Sequence, residues 1–383
     1  MLTTASGIVT QIIGWWGVDA QEILVDVDGV SRRALNYVAI TGAVEIGDTV
    51  VLNTTAQTLR LGTGGFDFVM STGQQGRASG AMPTAPDGHA DAVRPTSPSG
   101  SGHIIKARYT PSQLSVLTLE EQEPYAWIWD KDLGGMPVLA GQLHSQLIPA
   151  AAGLRAAGCG TVVYIMTDAA ALPIAFSNAV RAAKNTASLI MDGVGGTGLI
   201  DAAITCGQAF GGDYETVTLH SALIAARHLL NADAVVVCQG PGNAGTGTPY
   251  GFSGIEQATI LDIAAALGGT PIAIVRMSEA DLRERHQGIS HHTLTSLRLV
   301  RSTCIVPLPS QRGDEGLAPS PFQVEGWGEV SSRHDIRLID GADAVVDALA
   351  ASDLPLSTMG RTIEKDRVFF LAAAAAGLAV SAK

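Results

Sequence analysis

The apolar positions of the chain change their period near residue 103. Over residues 1–72, short apolar or alternating runs recur without helical spacing: "GIVTQII", "EILVDVDGVSRRALNY", "DTVVLN" and "FDFVM". A period of two puts alternate side chains on one face, so these runs predict about five short strands. Asp28-Gly29 predicts a two-residue hairpin, because a type I′ turn needs positive φ at both central positions. Gly47-Asp48 and Gly64-Gly65 mark further turns. Strands this short with no helical pattern between them predict a small β-barrel over 1–72. Between Gly73 and Gly102 only Met82 and Val93 are sizeable apolar residues. Such a segment cannot bury enough surface to offset its ordering entropy, so 73–102 reads as a flexible linker.

From 103 to 383, apolar runs alternate with Ala/Leu-rich helical patterns. "TVVYIM" (161–166), "LIDAAITC" (199–206), "AVVVC" (234–238), "PIAIVRM" (271–277), "TCIVPL" and "DIRLID" read as strands. Helices are predicted up to Lys184, over 216–230 and over 255–267. A short one is predicted in "EADLRERHQ", capped by Ser278 or Asp281 and stopped by Gly288. The fold class is therefore α/β, an N-terminal small β-barrel followed by a doubly wound, largely parallel α/β sheet domain. "VFFLAAAAAGLAVSA", from Val368 to Ala382, is shorter than the ~20 residues a membrane span needs and predicts a buried helix.

Charge and cysteine usage narrow the function classes. A net charge of −12 argues against a nucleic-acid partner, which wants a basic face. Cys159, Cys206, Cys238 and Cys304 are far apart and form no CxxC, the pattern of buried thiols in a reducing compartment. The N-terminus has no positively charged leader, so the predicted location is the cytoplasm, away from membranes. Lysines occur only at 106, 131, 184, 365 and 383. The loops between 184 and 365 therefore lack the lysine of a P-loop or of a Schiff-base cofactor. No cofactor is named by the sequence.

The stretch Val235–Gln257, "VVVCQGPGNAGTGTPYGFSGIEQ", joins a strand to a helix through six glycines. Gly242 and Gly247 have Walker spacing, but Thr248 and Pro249 follow where a lysine is required, and "GFSGI" is no nucleophile elbow. The loop still lies where open α/β sheets bind ligands, at the carboxyl end of a strand. Gly240, Gly242, Gly245 and Gly247, with Thr246, would present backbone N–H groups as an anion-binding nest. The alternative is a crossover held close to another backbone. "DGVGGTG" (192–198) fits GxGxxG, with Asp213 at the acidic position, but no clear helix follows it. Asp213 and Glu215, in "CGQAFGGDYET", either cap the next helix or face the same crevice.

Residues 276–301 hold five arginines and three of the nine histidines against three acids. In an acidic chain this is the stretch that would welcome an anion. Arg276 with His291 or His292 would neutralise its charge. Adjacent histidines with no third spaced ligand give no metal motif, so no metal is assigned. Asp168, just after "TVVYIMT", and Glu256 are candidates for proton transfer alongside His291 and His292. His144, at a helix start, is a further candidate ligand contact.

"GQAFGGDYE", "GPGNAGTGTPYGFSG" and "SHHT", in that order behind a β-rich front end, resemble a bacterial family of uncharacterised proteins. The resemblance spans nearly the whole chain and implies the same two-part architecture, but it carries no activity and no catalytic residues. The leading expectation is a protein that binds a small anionic or phosphorylated metabolite, as a hydrolase or transferase. The alternative is a non-catalytic homo-oligomeric scaffold or protein-interaction module, with the alanine-rich C-terminal helix as interface. A homo-oligomer is expected in either case.

Overall fold

The computed structural model describes residues 2–59, 64–73, 102–110, 112–185, 198–310 and 326–380. The chain forms two compact units, 1–116 and 117–383. Nearly all of the predicted linker, the "DGVGGTG" motif up to Thr197 and residues 311–325 lie outside the described residues.

In the first unit β1 (Thr4–Trp16), β2 (Ala20–Val27), β3 (Val30–Tyr37), β4 (Thr49–Asn53) and β5 (Asp67–Thr72) close a barrel in the order β1-β2-β3-β5-β4. Each pairing is antiparallel except β3 with β5. The β2–β3 hairpin turns at Asp28 and Gly29, with φ of 52° and 82°, as the type I′ signature requires. Val9, Ile23, Val25, Ala34, Val50 and Leu52 fill the interior. Short helices α1 (Val38–Thr41) and α2 (Thr55–Thr58) interrupt the barrel, and β6 (Ile104–Lys106) pairs with β7 (Leu114–Val116).

The second unit holds an eight-stranded sheet, parallel throughout. Its strands are β8 (Pro137–Ala140), β9 (Val162–Thr167), β10 (Ala202–Thr205), β11 (Tyr214–Glu215), β12 (Ala234–Gln239), β13 (Thr270–Ala273), β16 (Ile305–Pro309) and β17 (Asp335–Ile339). A separate ribbon pairs β14 (Met277–Ser278) with β15 (Gly288–Ile289). The order is β11-β10-β9-β12-β8-β13-β16-β17. The unbroken apolar runs arise because both faces are covered. Val163, Ile165, Val235 and Val237 face one core, while Val162, Tyr164, Val236 and Cys238 face the other.

Helix placement sets the switch point. β8 and β9 lead into α3 (Leu147–Ala156) and α4 (Asn178–Asn185), which pack on one face. The neighbouring β12 and β13 lead towards α6 (Glu256–Ala266) and α7 (His291–Leu299), which pack on the other. Connections from adjacent strands thus diverge at their carboxyl ends, the geometry at which open α/β sheets bind ligands. α5 (Leu219–His228) and α8 (Trp327–Arg333) join the second face, and α9 (Ala342–Ala350) joins the first.

α10 (Arg367–Leu378) is internal, with Ala372 to Ala376 fully buried, as its apolar run predicts. One expectation changes. Residues 279–287 form no α-helix. Leu282 is fully exposed, and only a 3-10 turn, Glu284–His286, precedes β15.

Candidate functional site

Loops from three strands meet at the switch in strand order. Gln142, two residues beyond β8, donates from Nε2 to Ser296 Oγ of α7 (2.9 Å) and accepts at Oε1 from Thr293 Oγ1 (3.3 Å). Gln239, at the end of β12, donates to Gln142 O (3.0 Å) and to Asn243 Oδ1 (2.8 Å). The backbone N–H of Arg276, beyond β13, donates to Thr293 Oγ1 (3.0 Å), and Arg276 O accepts from Ser290 N (2.9 Å). These buried amide bonds tie the three loops together, although Gln239 Oε1 is buried without a hydrogen-bond partner.

On this floor three histidines gather. Ser290 caps α7, its Oγ accepting from His292 N (3.2 Å) and bonding His286 Nδ1 (2.7 Å). The β14–β15 pairing, Met277 with Ile289 and Ser278 with Gly288, folds His286 back beside the other two. Ring centroids are 4.3 Å apart for His291–His292, 4.8 Å for His286–His292 and 5.1 Å for His286–His291. His292 also stacks on Phe252 of the glycine loop at 3.7 Å. The Nε2 atoms of all three are buried without a hydrogen-bond partner. Such an orphaned group typically costs about 1–3 kcal/mol. Burial, reinforced by Arg276 and by the neighbouring rings, pushes His286 and His292 down to about 3 and lowers His291, so all three are uncharged at neutral pH.

Arg276 closes the cluster. It is 3 % exposed; Nη1 donates towards His292 Nδ1 at 3.4 Å and Nη2 lies 3.6 Å from Asp281 Oδ2 with no hydrogen-bond partner. Burial lowers it to about 10. Asp281 is shared, taking two bonds from the Arg283 guanidinium at 2.8 Å and one from Arg361 at 3.4 Å. Arg361 also bonds the buried Asp366 at 2.8 Å, and Ser278 Oγ donates to the same carboxylate at 2.7 Å. Ser278 Oγ also accepts from Asp281 N (3.0 Å) and Asp281 Oδ1 from Arg283 N (3.0 Å), but these bonds close local turns that no α-helix follows.

The proton-transfer candidates sit one strand away. Glu256, the first residue of α6, accepts from Thr167 Oγ1 at 2.6 Å. Burial raises it to about 7, with a further upward push from Asp168. Asp168 itself is exposed and accepts from Gln208 N at 2.7 Å. His144 is committed on both nitrogens: Nδ1 faces Gln239 O and Tyr164 Oη at 3.2 Å each, and Nε2 faces Ser177 Oγ at 2.5 Å. Burial holds it near 4. Ser177 in turn accepts from Val180 N (2.9 Å) at the start of α4, so the pair ties β8 to α4.

Glu256 gives a direct pH test. Its folded pKa exceeds the ordinary glutamate value, so the folded state binds the proton more tightly. That contribution to stability is complete below about 4.5 and is lost as pH rises through about 7. Glu256→Gln, which cannot ionise, should therefore remove a fall in stability between pH 4.5 and pH 7 in urea titrations. An unchanged pH profile would place the carboxylate in a more solvated setting.

The glycine loop differs from the expected nest. Among Gly240, Gly242, Gly245 and Gly247 only Gly242 has positive φ (99°). The others do not supply consecutive left-handed residues, and Thr246 N–H is spent on Gly251 O at 2.7 Å. Close approach explains more: a Cβ on Gly240 would lie 2.7 Å from Ala171 O, and one on Gly254 2.7 Å from Gln142 O. Gly245 borders the histidines, 3.9 Å separating its would-be Cβ from His292 Cε1. Asp213 is elsewhere. It bonds Lys184 and accepts from Ala203 N (2.8 Å) at the amino end of β10. Thr218, accepting from Ser221 N, caps α5 in its place.

The structure therefore brings Arg276, His291, His292 and Gly245 together, and adds Phe252, Gln142, Gln239 and His286. An open groove of 710 Å³ along α6, bordered by His220, Glu256, Thr259, Asp262 and Leu299, does not include the three histidines in its walls. None of the four cysteines is in a disulfide, and all four are buried. Among the described residues no helix is long and apolar enough to cross a membrane.

A closed barrel followed by a doubly wound parallel sheet, with a buried polar cluster at the strand ends, defines a two-part α/β protein. The chain belongs to a family described as proteins of unknown function (DUF3866), whose profile matches residues 33–377. No curated protein and no solved structure matches it.

Proposed function

We propose that the crevice beyond β8, β12 and β13 binds a small anionic metabolite. The observation that carries this reading is Arg276 Nη2, which belongs to a residue 3 % exposed and has no hydrogen-bond partner beside three uncharged imidazoles. A buried guanidinium normally fills its donors, and a carboxylate or phosphate oxygen matches that unused one. The nearest carboxylate, Asp281, is already divided among three arginines. Glu256, held near neutral pH and four residues beyond Phe252, is the group suited to move a proton if the anion is turned over by a hydrolase or transferase reaction.

A thermal-shift panel of nucleotides, sugar phosphates and organic acids tests the reading. At a hundredfold excess over Kd, linkage supplies about 2.7 kcal/mol, which raises the melting temperature of a chain of this size by about 3 °C. The response should concentrate in one anion class and weaken in Arg276→Gln. Silence across the panel, with and without divalent metals, would remove the proposal.

A further inference from the structure

We propose that His286, His291 and His292 form a three-imidazole site for a divalent first-row transition metal of the zinc type. Their candidate ligand atoms lie within 4.8 Å of one another. Tetrahedral zinc with bonds of about 2.0–2.1 Å separates its ligand nitrogens by about 3.4 Å. Side-chain rotations that close each gap by about 1.4 Å at most would therefore complete the site.

Buried histidines elsewhere in the unit satisfy both ring nitrogens. His334 bonds Leu297 O at 2.9 Å and approaches Cys304 N at 3.4 Å, and His144 is likewise committed on both sides. The three with unpartnered Nε2 atoms are the three that converge. His286 and His292 are 1 % and 4 % exposed, so water does not compensate them. His286 carries the support that metal-ligating histidines use, its Nδ1 held by Ser290 Oγ at 2.7 Å. That bond orients the ring and leaves Nε2 free to ligate. Neutral imidazoles select zinc, cobalt, nickel, copper or iron over magnesium or calcium.

The Arg276 guanidinium, 3.4 Å from His292 Nδ1, and its neighbours Arg283 and Arg285 oppose a bare cation here. They favour a cation whose remaining positions hold an anion. The fourth ligand is thus an oxyanion within reach of Arg276, and only this detail rests on the anion reading. Loading also has a local consequence. Ligation of His292 through Nε2 moves its proton to Nδ1, which then repels Arg276 Nη1 now 3.4 Å away. The guanidinium would turn from His292 towards Asp281 and the anion.

The test uses the full chain, stripped with EDTA and dialysed, then titrated with zinc and with cobalt. One zinc per chain should bind, and cobalt should give visible d–d bands of a low-symmetry nitrogen site. His286→Ala and His291→Ala should each weaken binding by more than about tenfold, the cost of losing even an outer-shell partner. His220→Ala, exposed on α5 and outside the cluster, should not. Failure of the wild-type chain to take up zinc or cobalt, or unchanged affinity in both variants, would overturn the site. An anion-induced thermal shift that persists in EDTA would then leave the anion reading standing, and metal uptake without any such shift would leave the metal site alone.

Discussion

Replacing Asp281 with alanine is expected to lower the unfolding free energy by about 3–5 kcal/mol, the usual cost of stranding a buried charge. Asp281 is 3 % exposed and accepts from Arg283 and Arg361, with Arg276 Nη2 at 3.6 Å. Arg283 and Arg361 retain access to water, with side chains 41 % and 19 % exposed, whereas that of Arg276 is 4 % exposed. Loss of the carboxylate therefore falls on Arg276, which keeps its charge with only the more distant Asp366 to offset it. Arg283→Ala removes a partly solvated partner and should cost about 1 kcal/mol or less. Urea titration of the two variants separates them. Equal effects would mean that the cluster acts as a surface ion-pair network.

Gly377→Val should be comparably damaging for a different reason. α3 and α10 cross at Gly153 and Gly377, where a Cβ on Gly377 would meet Ala150 O and lie 2.5 Å from Leu154 N. A Cβ on Gly153 would likewise meet Ala374 O and lie 3.0 Å from Gly377 Cα. These contacts are backbone, so no side chain can rotate aside. Overpacking typically costs 1–3 kcal/mol, and forcing two buried helices apart should reach about 3 kcal/mol or more. The sign reverses at Gly328, exposed in α8 with nothing within 4 Å of a would-be Cβ. Gly328→Ala should stabilise by about 0.5–1 kcal/mol through helix propensity. A tolerated Gly377→Val would mean that α3 and α10 are not in contact there.

The architecture is legible because burial writes itself into periodicity. The runs at β9, β12 and β16 are apolar at successive positions because helices cover both faces, and the Asp28-Gly29 turn is dictated by φ. The central strand β8 is not legible. Its four residues, "PVLA", run into Gly141, and Pro149 interrupts the pattern of α3. The false helix at 279–287 has the same origin as the missed part of the site. Ser278 and Asp281 do make the local backbone bonds that caps make, to Asp281 N and Arg283 N, but their side chains are also tied to Asp366 and Arg361. Arg361 and Asp366 lie 80 and 88 residues from their partners in the sequence.

The candidate site was legible only in pieces. Arg276, His291 and His292 stand out by charge and pairing, and the structure places them together. His286 precedes His291 by five residues, a spacing that matches neither a helix face nor a strand face. Only the β14–β15 turn-back makes it a neighbour. The glycines of the β12 loop point to the right region for an incomplete reason. Tight backbone contact accounts for Gly240 and Gly254, and proximity to His292 for Gly245.

The central claim is that an anion enters beside Arg276 and the three histidines at the carboxyl ends of β8, β12 and β13. The imidazole ¹⁵N spectrum of the full chain, titrated with the tightest-binding anion of the panel in EDTA, reports on that location. Saturable shifts at His286, His291 and His292, with His220 and His228 unmoved, are predicted. Shifts confined to His220, beside the groove along α6, or no shift at any histidine despite a raised melting temperature, would contradict it.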